Sequence, residues 1–189
     1  MKGILFKEEM FNAVVEGLKT QTRRVIHRNE LPPEKTELYD ELKDYLCNAR
    51  SKYKKGEIIY LKEPYVLIKK YPCAVEENSK ILKAEYKYDK QTHVQKIIPW
   101  KNKLFMPEKY ARYFIRILNV RVERLHNISE EDARDEGVEM QSSSWIKNPP
   151  VKFSSYRSGF FNKWIELYGF ENFTSNPWIW VIEFERVIL

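Results

Sequence analysis

The densest run of reactive side chains in this chain is Glu16-Gly17-Leu18-Lys19-Thr20-Gln21-Thr22-Arg23-Arg24. A lysine, two threonines and two arginines follow a glycine within a few residues. In a turn, Lys19 and Thr22 stand at i and i+3 and can approach each other. A lysine held in a poorly solvated cleft loses basicity and can accept a proton. A threonine hydroxyl is a weak nucleophile that needs such a base. Lys19, Arg23 and Arg24 equally suit contacts to phosphate or base edges, which lysine and arginine dominate. The same residues also make an ordinary cationic turn in which threonine side chains cap backbone groups. Elsewhere the chain offers little chemistry. His27, His93 and His126 are widely separated, and Cys47 and Cys73 form no C-x-x-C pair. No metal site is expected, and both thiols read as reduced. The glycine-rich phosphate loops and the G-x-S-x-G elbow are absent, and no cofactor is expected.

A scaffold must hold this corner. The chain has 189 residues, 43% hydrophobic and 14% aromatic, enough for a real core and against wholesale disorder. The net charge of +6 favours a polyanion partner only mildly. No apolar run approaches the roughly 20 residues of a membrane span. The first residues carry charge too early for a signal peptide, so a cytoplasmic location with no membrane association is expected.

The reactive run sits between predicted elements. Gly3–Phe6 is a short apolar run. Met10, Phe11, Val14, Val15 and Leu18 then line one face of a helix over Lys7–Leu18, which Gly17 can stop. Lys19–Val25 reads as a tight turn leading into an edge strand. Residues 28–55 read as an insertion, with a charged helix over 34–50. Glu57–Glu63 is a buried strand stopped by Pro64, and 66–100 holds weak strands around Ala84–Tyr88 and Val94–Ile98. Arg112–Leu125 is the strongest strand, with an apolar phase change near Leu118 that suggests a bulge or bend. Ser129 caps a helix over Ile128–Glu136, with Asp132 completing a capping box and Gly137 ending it. A loop over 141–156 has the composition of a lid. A helix over Ser158–Tyr168 and a strand over Trp178–Phe184 follow, with Trp178 and Trp180 assigned to the core. The order is α+β, with no regular βαβ alternation, and points to a small barrel.

Gly17-Leu18-Lys19-Thr20-Gln21-Thr22-Arg23, with Arg24 next, resembles the G-x-K-x-x-T-x-R signature of the ASCH domain family, relatives of the PUA RNA-binding fold. Lys55-Gly56-Glu57-Ile58-Ile59 resembles that family's strand-opening motif. Lys62-Glu63-Pro64-Tyr65, Met106-Pro107, Val120–Leu125 leading into Ile128–Ala133, and Asn176–Phe184 resemble a phage and prophage branch. The resemblance implies one domain over residues 1–189: a PUA-like small β-barrel with flanking helices, and insertions near 28–55 and 66–100. It also implies an RNA- or nucleotide-related role, and one branch hydrolyses N4-acetylcytidine with a Thr, a Lys and a Glu. Carried over, these are Thr22, Lys19 and Glu136.

Three functions follow as expectations. The first is a module binding RNA or a nucleotide or nucleoside in a cleft lined by Lys19, Thr22, Arg23 and a glutamate. Arg24 would assist, and Tyr65, Trp100 or a tryptophan of the 178–180 pair would stack on a base. The second is an amidohydrolase acting on N4-acylated cytidine, with Thr22 attacking, Lys19 taking its proton and Glu136 serving as acid or base. Glu63 rivals Glu136, since it also follows a buried strand and precedes a rigid proline. The third is a non-enzymatic phage or prophage accessory protein using the 34–55 and 141–156 segments for protein contacts.

Overall fold

The computed structural model describes residues 1–26, 50–69, 81–88, 99–142 and 154–189. The expected helix over 34–50, the strand over 94–98 and most of the 141–156 loop lie outside the described residues. The described elements are mixed α and β. In chain order they are β1 (Gly3–Leu5), α1 (Glu8–Val15), β2 (Gln21–Val25), β3 (Ile58–Lys62), β4 (Tyr65–Lys69), β5 (Ile81–Tyr86), β6 (Phe114–Arg124), α2 (Glu130–Asp135), α3 (Tyr156–Tyr168), α4 (Phe170–Thr174) and β7 (Trp178–Val187). Five strands hydrogen-bond in the order β1-β3-β6-β7-β2, and β4 pairs with β5 in a second sheet. Among the described residues these sheets form no closed barrel. The chain divides into two compact units, one of Met1–Asn12, Ile58–Ile115 and Val187–Leu189, the other of Ala13–Glu57 and Arg116–Arg186.

In the first unit β1 runs parallel to β3, with Gly3 opposite Tyr60. A side chain at Gly3 would meet Lys62 Cε and, at 2.8 Å, the Tyr60 ring, so any larger residue has to displace both. Pro64 does end β3, but the chain resumes directly as β4, antiparallel to β5 with Tyr65 opposite Tyr86. Proline removes one N–H from a ladder and does not prevent a new strand one residue later.

The second unit is built around β7 and β6. Alternate residues of β7 are buried on both faces: Ile179 and Val181 on one, Trp180, Ile182 and Phe184 on the other. Trp180 belongs to the core as expected, while Trp178 is half-buried beneath the Arg124 guanidinium, 4.2 Å from its ring centroid. In β6, Ile115 and Ile117 are fully buried, and the next buried residue is Val122. The buried set therefore changes from odd to even positions, as the sequence pattern predicts, but only at Val122: Leu118, where the apolar phase shifts, is 42% exposed. Helices α2, α3 and α4 cover the Ile179–Val181 face, where Leu125, Ile128, Ala133, Phe160, Phe161, Trp164 and Phe173 form one cluster. Each buried phenylalanine contributes about 1.5–3 kcal/mol. Ser129 caps α2 by accepting from the Asp132 N–H at 3.0 Å. The expected capping box is only half present, because the Asp132 carboxylate bonds Gln21 and Arg121.

Gly159 lies inside α3, yet it is not a helix defect. A methyl group there would run into the carbonyl oxygen of Glu139. Gly159→Ala therefore loses about 1–3 kcal/mol of stability by overpacking, although alanine is favoured by about 1 kcal/mol at ordinary helix positions. Urea unfolding of both proteins reads the sign, and a more stable variant contradicts this packing.

Candidate functional site

Two left-handed glycines shape the corner after α1. Gly17 has φ 78°, and behind it the amides of Leu18 and Lys19 both donate to the Ala13 carbonyl, at 2.8 and 3.1 Å. Gly137 has φ 72° and ends α2 against this corner, where a side chain would approach the Lys19 Cβ to 2.8 Å. The Thr20 amide ties the two together by donating to the Asp135 carbonyl at 2.8 Å.

The two ends enclose an ionic cluster. Lys19 Nζ donates to the Glu136 carboxylate (Oε2, 2.5 Å) and to the Glu136 main-chain carbonyl (2.8 Å). Arg23 reaches the other oxygen of the same carboxylate, from NH1 to Oε1 at 3.0 Å. The Lys19 and Arg23 side chains are both 0% exposed, and that of Glu136 is 5% exposed. Arg23 also donates to Glu123 Oε1 at 2.8 Å and lies 3.1 Å from Asp132 Oδ2, with its guanidinium carbon 5.6 Å from the Phe160 ring centroid. Gln21 donates to Asp132 at 2.9 Å, Arg121 grips both oxygens of Asp132 at 3.0 Å, and Arg121 also pairs with Glu183. Four carboxylates (Glu123, Asp132, Glu136, Glu183) thus meet three cations (Lys19, Arg23, Arg121).

Burial pushes the Lys19 amine below the ordinary lysine value of 10.5. Attraction to Glu136 opposes the shift without cancelling it, and the charges of Arg24 and Arg23 add to the lowering. At Asp132 burial acts upward, but the Gln21 hydrogen bond and the Arg23 and Arg121 guanidiniums outweigh it, holding the carboxyl below 3.8.

The expected lining of one cleft by Lys19, Thr22 and Arg23 together is corrected by the pleat. Residues 21–25 form a regular strand against β7, with Gln21 opposite Glu183, Thr22 opposite Ile182, Arg23 opposite Val181 and Arg24 opposite Trp180. Successive strand residues point to opposite faces. Gln21, Arg23 and Val25 therefore face the helices, while Thr22, itself buried, and Arg24, half-buried, share the opposite face with Ile182 and Trp180. Arg23 spends its hydrogen bonds within the protein, on Glu123, Gln21 and Glu136. Glu136 is the carboxylate that meets Lys19. Glu63, fully buried in the first unit, is gripped by Arg112 at 2.8 and 2.9 Å. Tyr65, also in the first unit, is buried, its ring 5.5 Å from that of Tyr110 and beneath the Lys101 amine. Its face is not open to a base. Sequence reasoning missed Gln21, Arg121, Glu123 and Asp132. Their signal is alternation: 21 and 23 share a face of β2, 121 and 123 a face of β6, and Asp132 lies one helical turn before Glu136.

No protein-family profile matches the chain, and no curated protein is similar to it in sequence. The crystal structure of protein EF3133 from Enterococcus faecalis V583, of family DUF984, superposes with a TM-score of 0.42 at 13% identity, covering 100% of this chain and 82% of that one.

Both perturbed groups leave a signature in stability. The native Lys19 amine releases its proton at lower pH than the unfolded one, so the unfolded state binds more protons between the lowered native value and 10.5. Stability therefore rises with pH across that window, and Lys19→Met flattens the rise. The Asp132 contribution is present above 3.8 and is lost as pH falls through its lowered native value, and Asp132→Asn removes that acid-side slope. Denaturant midpoints measured across pH test both signs.

Proposed function

We propose that the protein binds RNA, or a nucleotide or nucleoside, with the base received at the corner where Lys19 meets Glu136, and that it is an ASCH-type protein whose sheet corresponds to an opened PUA-like barrel. The observation that carries this reading is the buried Lys19–Glu136–Arg23 cluster. Taking an ion out of water costs several kcal/mol even when it is paired. Strongly perturbed groups of this kind concentrate at functional sites. An amine beside a carboxylate also matches the donor and acceptor pattern of a nucleobase edge. The charge balance decides which part of the ligand enters. Carboxylates outnumber cations in the network, so a phosphate is repelled there and an uncharged base is not. Arg24, close enough to depress Lys19, supplies positive charge on the other face of β2.

A specific observation favours a second reading, the amidohydrolase. The lowered Lys19 amine is a better base near neutral pH than an ordinary lysine. On this reading Thr22 attacks the amide carbonyl of an N4-acylated cytidine, which requires its side chain to reach Lys19 from the face of β2 opposite the Lys19–Glu136–Arg23 cluster. Lys19 takes the hydroxyl proton and passes it to the leaving amine, Glu136 holds Lys19 in place, and water then hydrolyses the acyl-threonine to release acetate.

Calorimetric titration with cytidine, N4-acetylcytidine and a short RNA tests the first reading. Lys19→Met and Glu136→Gln abolish binding while circular dichroism stays native, and undiminished binding in both variants overturns it. Chromatography of N4-acetylcytidine incubated with the protein tests the second. Release of acetate and cytidine is expected. It is lost in Thr22→Ala and falls about 10²–10⁴-fold in Lys19→Ala. Full turnover by Thr22→Ala removes the nucleophile.

A further inference from the structure

A guanidinium carries its N–H donors in one rigid plane, so fixing one edge of the plane aims the opposite corner. In Arg23 that edge belongs to Glu123. Nε and Nη2 both donate to Glu123 Oε1, at 3.2 and 2.8 Å, and Nη2 also lies 3.1 Å from Asp132 Oδ2. The remaining corner, Nη1, donates to the Gln21 side-chain oxygen at 3.3 Å and to Glu136 Oε1 at 3.0 Å. The other oxygen of Glu136 is the one that accepts from Lys19.

The change of phase in β6 is what brings Glu123 here. With Val122 buried, the residues on either side of it, Arg121 and Glu123, turn to the face that meets Arg23 and Asp132. Glu123 has Arg23 and, at 3.5 Å, Arg121 as its cations. Its side chain reaches solvent, at 16% exposed, whereas those of Lys19 and Arg23 do not.

We infer that Glu123 is a positioning residue: it holds Arg23 so that Nη1 takes Oε1 of Glu136 and leaves Oε2 to Lys19, a role that rests on this corner being the one that receives a base. Without the Glu123 charge, the guanidinium is drawn toward the carboxylates it still has, Asp132 and Glu136. It then competes with Lys19 for Glu136 and turns the carboxylate away from the ligand. A site displaced by about 1 Å loses much of its function.

Two measurements separate this role from base binding itself. The first is side-chain nitrogen NMR of the unliganded protein across pH. Lys19 titrates facing Glu136, Arg23 and Arg24. Glu123→Gln, the neutral isostere, lowers the Lys19 midpoint and shifts the Arg23 Nη signals. Arg23→Lys keeps the charge but not the fork, and in that background Glu123→Gln moves the Lys19 midpoint no further. Glu166→Gln, the same loss of charge at the exposed partner of Lys163, leaves both signals in place. A full shift that persists in the Arg23→Lys background, or an equal shift in Glu166→Gln, would mean that Glu123 acts by charge alone and would overturn the assignment. If Arg23→Lys does not fold, the Arg23 signals decide by themselves, and unchanged Nη signals in Glu123→Gln refute the role. The second measurement is calorimetry with cytidine. Affinity falls at least about tenfold in Glu123→Gln, the worth of one charged hydrogen bond, and undiminished affinity also refutes the role. A wild-type protein that binds no cytidine removes the base-binding reading, while the Lys19 and Arg23 signals still decide what Glu123 does.

Discussion

The Glu136 carboxylate is the constraint on which the second unit's site depends. One oxygen accepts from Lys19 and the other from Arg23. Three ions are thereby held almost out of water on parts of the chain more than a hundred residues apart. Removing one member leaves the others with uncompensated burial, which is costlier than never having buried them. Surrounding bonds extend the same logic. Arg23 is shared among Glu136, Glu123 and Asp132, and Asp132 among Arg23, Gln21 and Arg121. Arg23, Arg121, Glu123, Asp132 and Glu136 each meet at least two ionic partners, so β2, β6 and α2 are cross-linked by charge as well as by packing.

This sharing shapes the chemistry available at the corner. Lys19 sits under opposed influences: burial favours its neutral form, Glu136 its charged form, and Arg23 and Arg24 the neutral form again. Loss of the Glu136 charge would therefore leave the amine with desolvation and two cationic neighbours acting in one direction. Among these influences, the carboxylate is the one that holds the proton on Lys19.

Much of the scaffold is legible in the residues themselves. The apolar stripe from Met10 to Val15, the serine cap at Ser129, the alternation from Tyr113 to Ile117 and the apolar run from Trp178 to Phe184 each commit to one element, because periodicity and capping are local. The α+β class follows from their order. The pairing of Lys19 with Glu136 was reachable only through resemblance, since nothing local announces a partner so distant. What failed was local geometry read as a turn where there is a strand. In a turn Thr22 and Arg23 can converge, whereas in β2 they cannot. Tyr65 has a related reason: a strand read as stopped at Pro64 hides the start of β4, whose first ring packs against Tyr110. Closure of the sheet into a barrel is a long-range property, and no residue type encodes it.

The pairing of β2 with β7 carries a consequence for how the protein comes into being. Residues 21–25 find their ladder partners at residues 179–183. Contacts of such sequence separation close large loops and slow folding. On the ribosome, the segment bearing Arg23 is made early and must wait, its polar backbone and two arginines solvated, until β7 emerges. The polar composition of Gln21–Arg24 keeps that waiting strand from adding to the sheet of a neighbouring nascent chain.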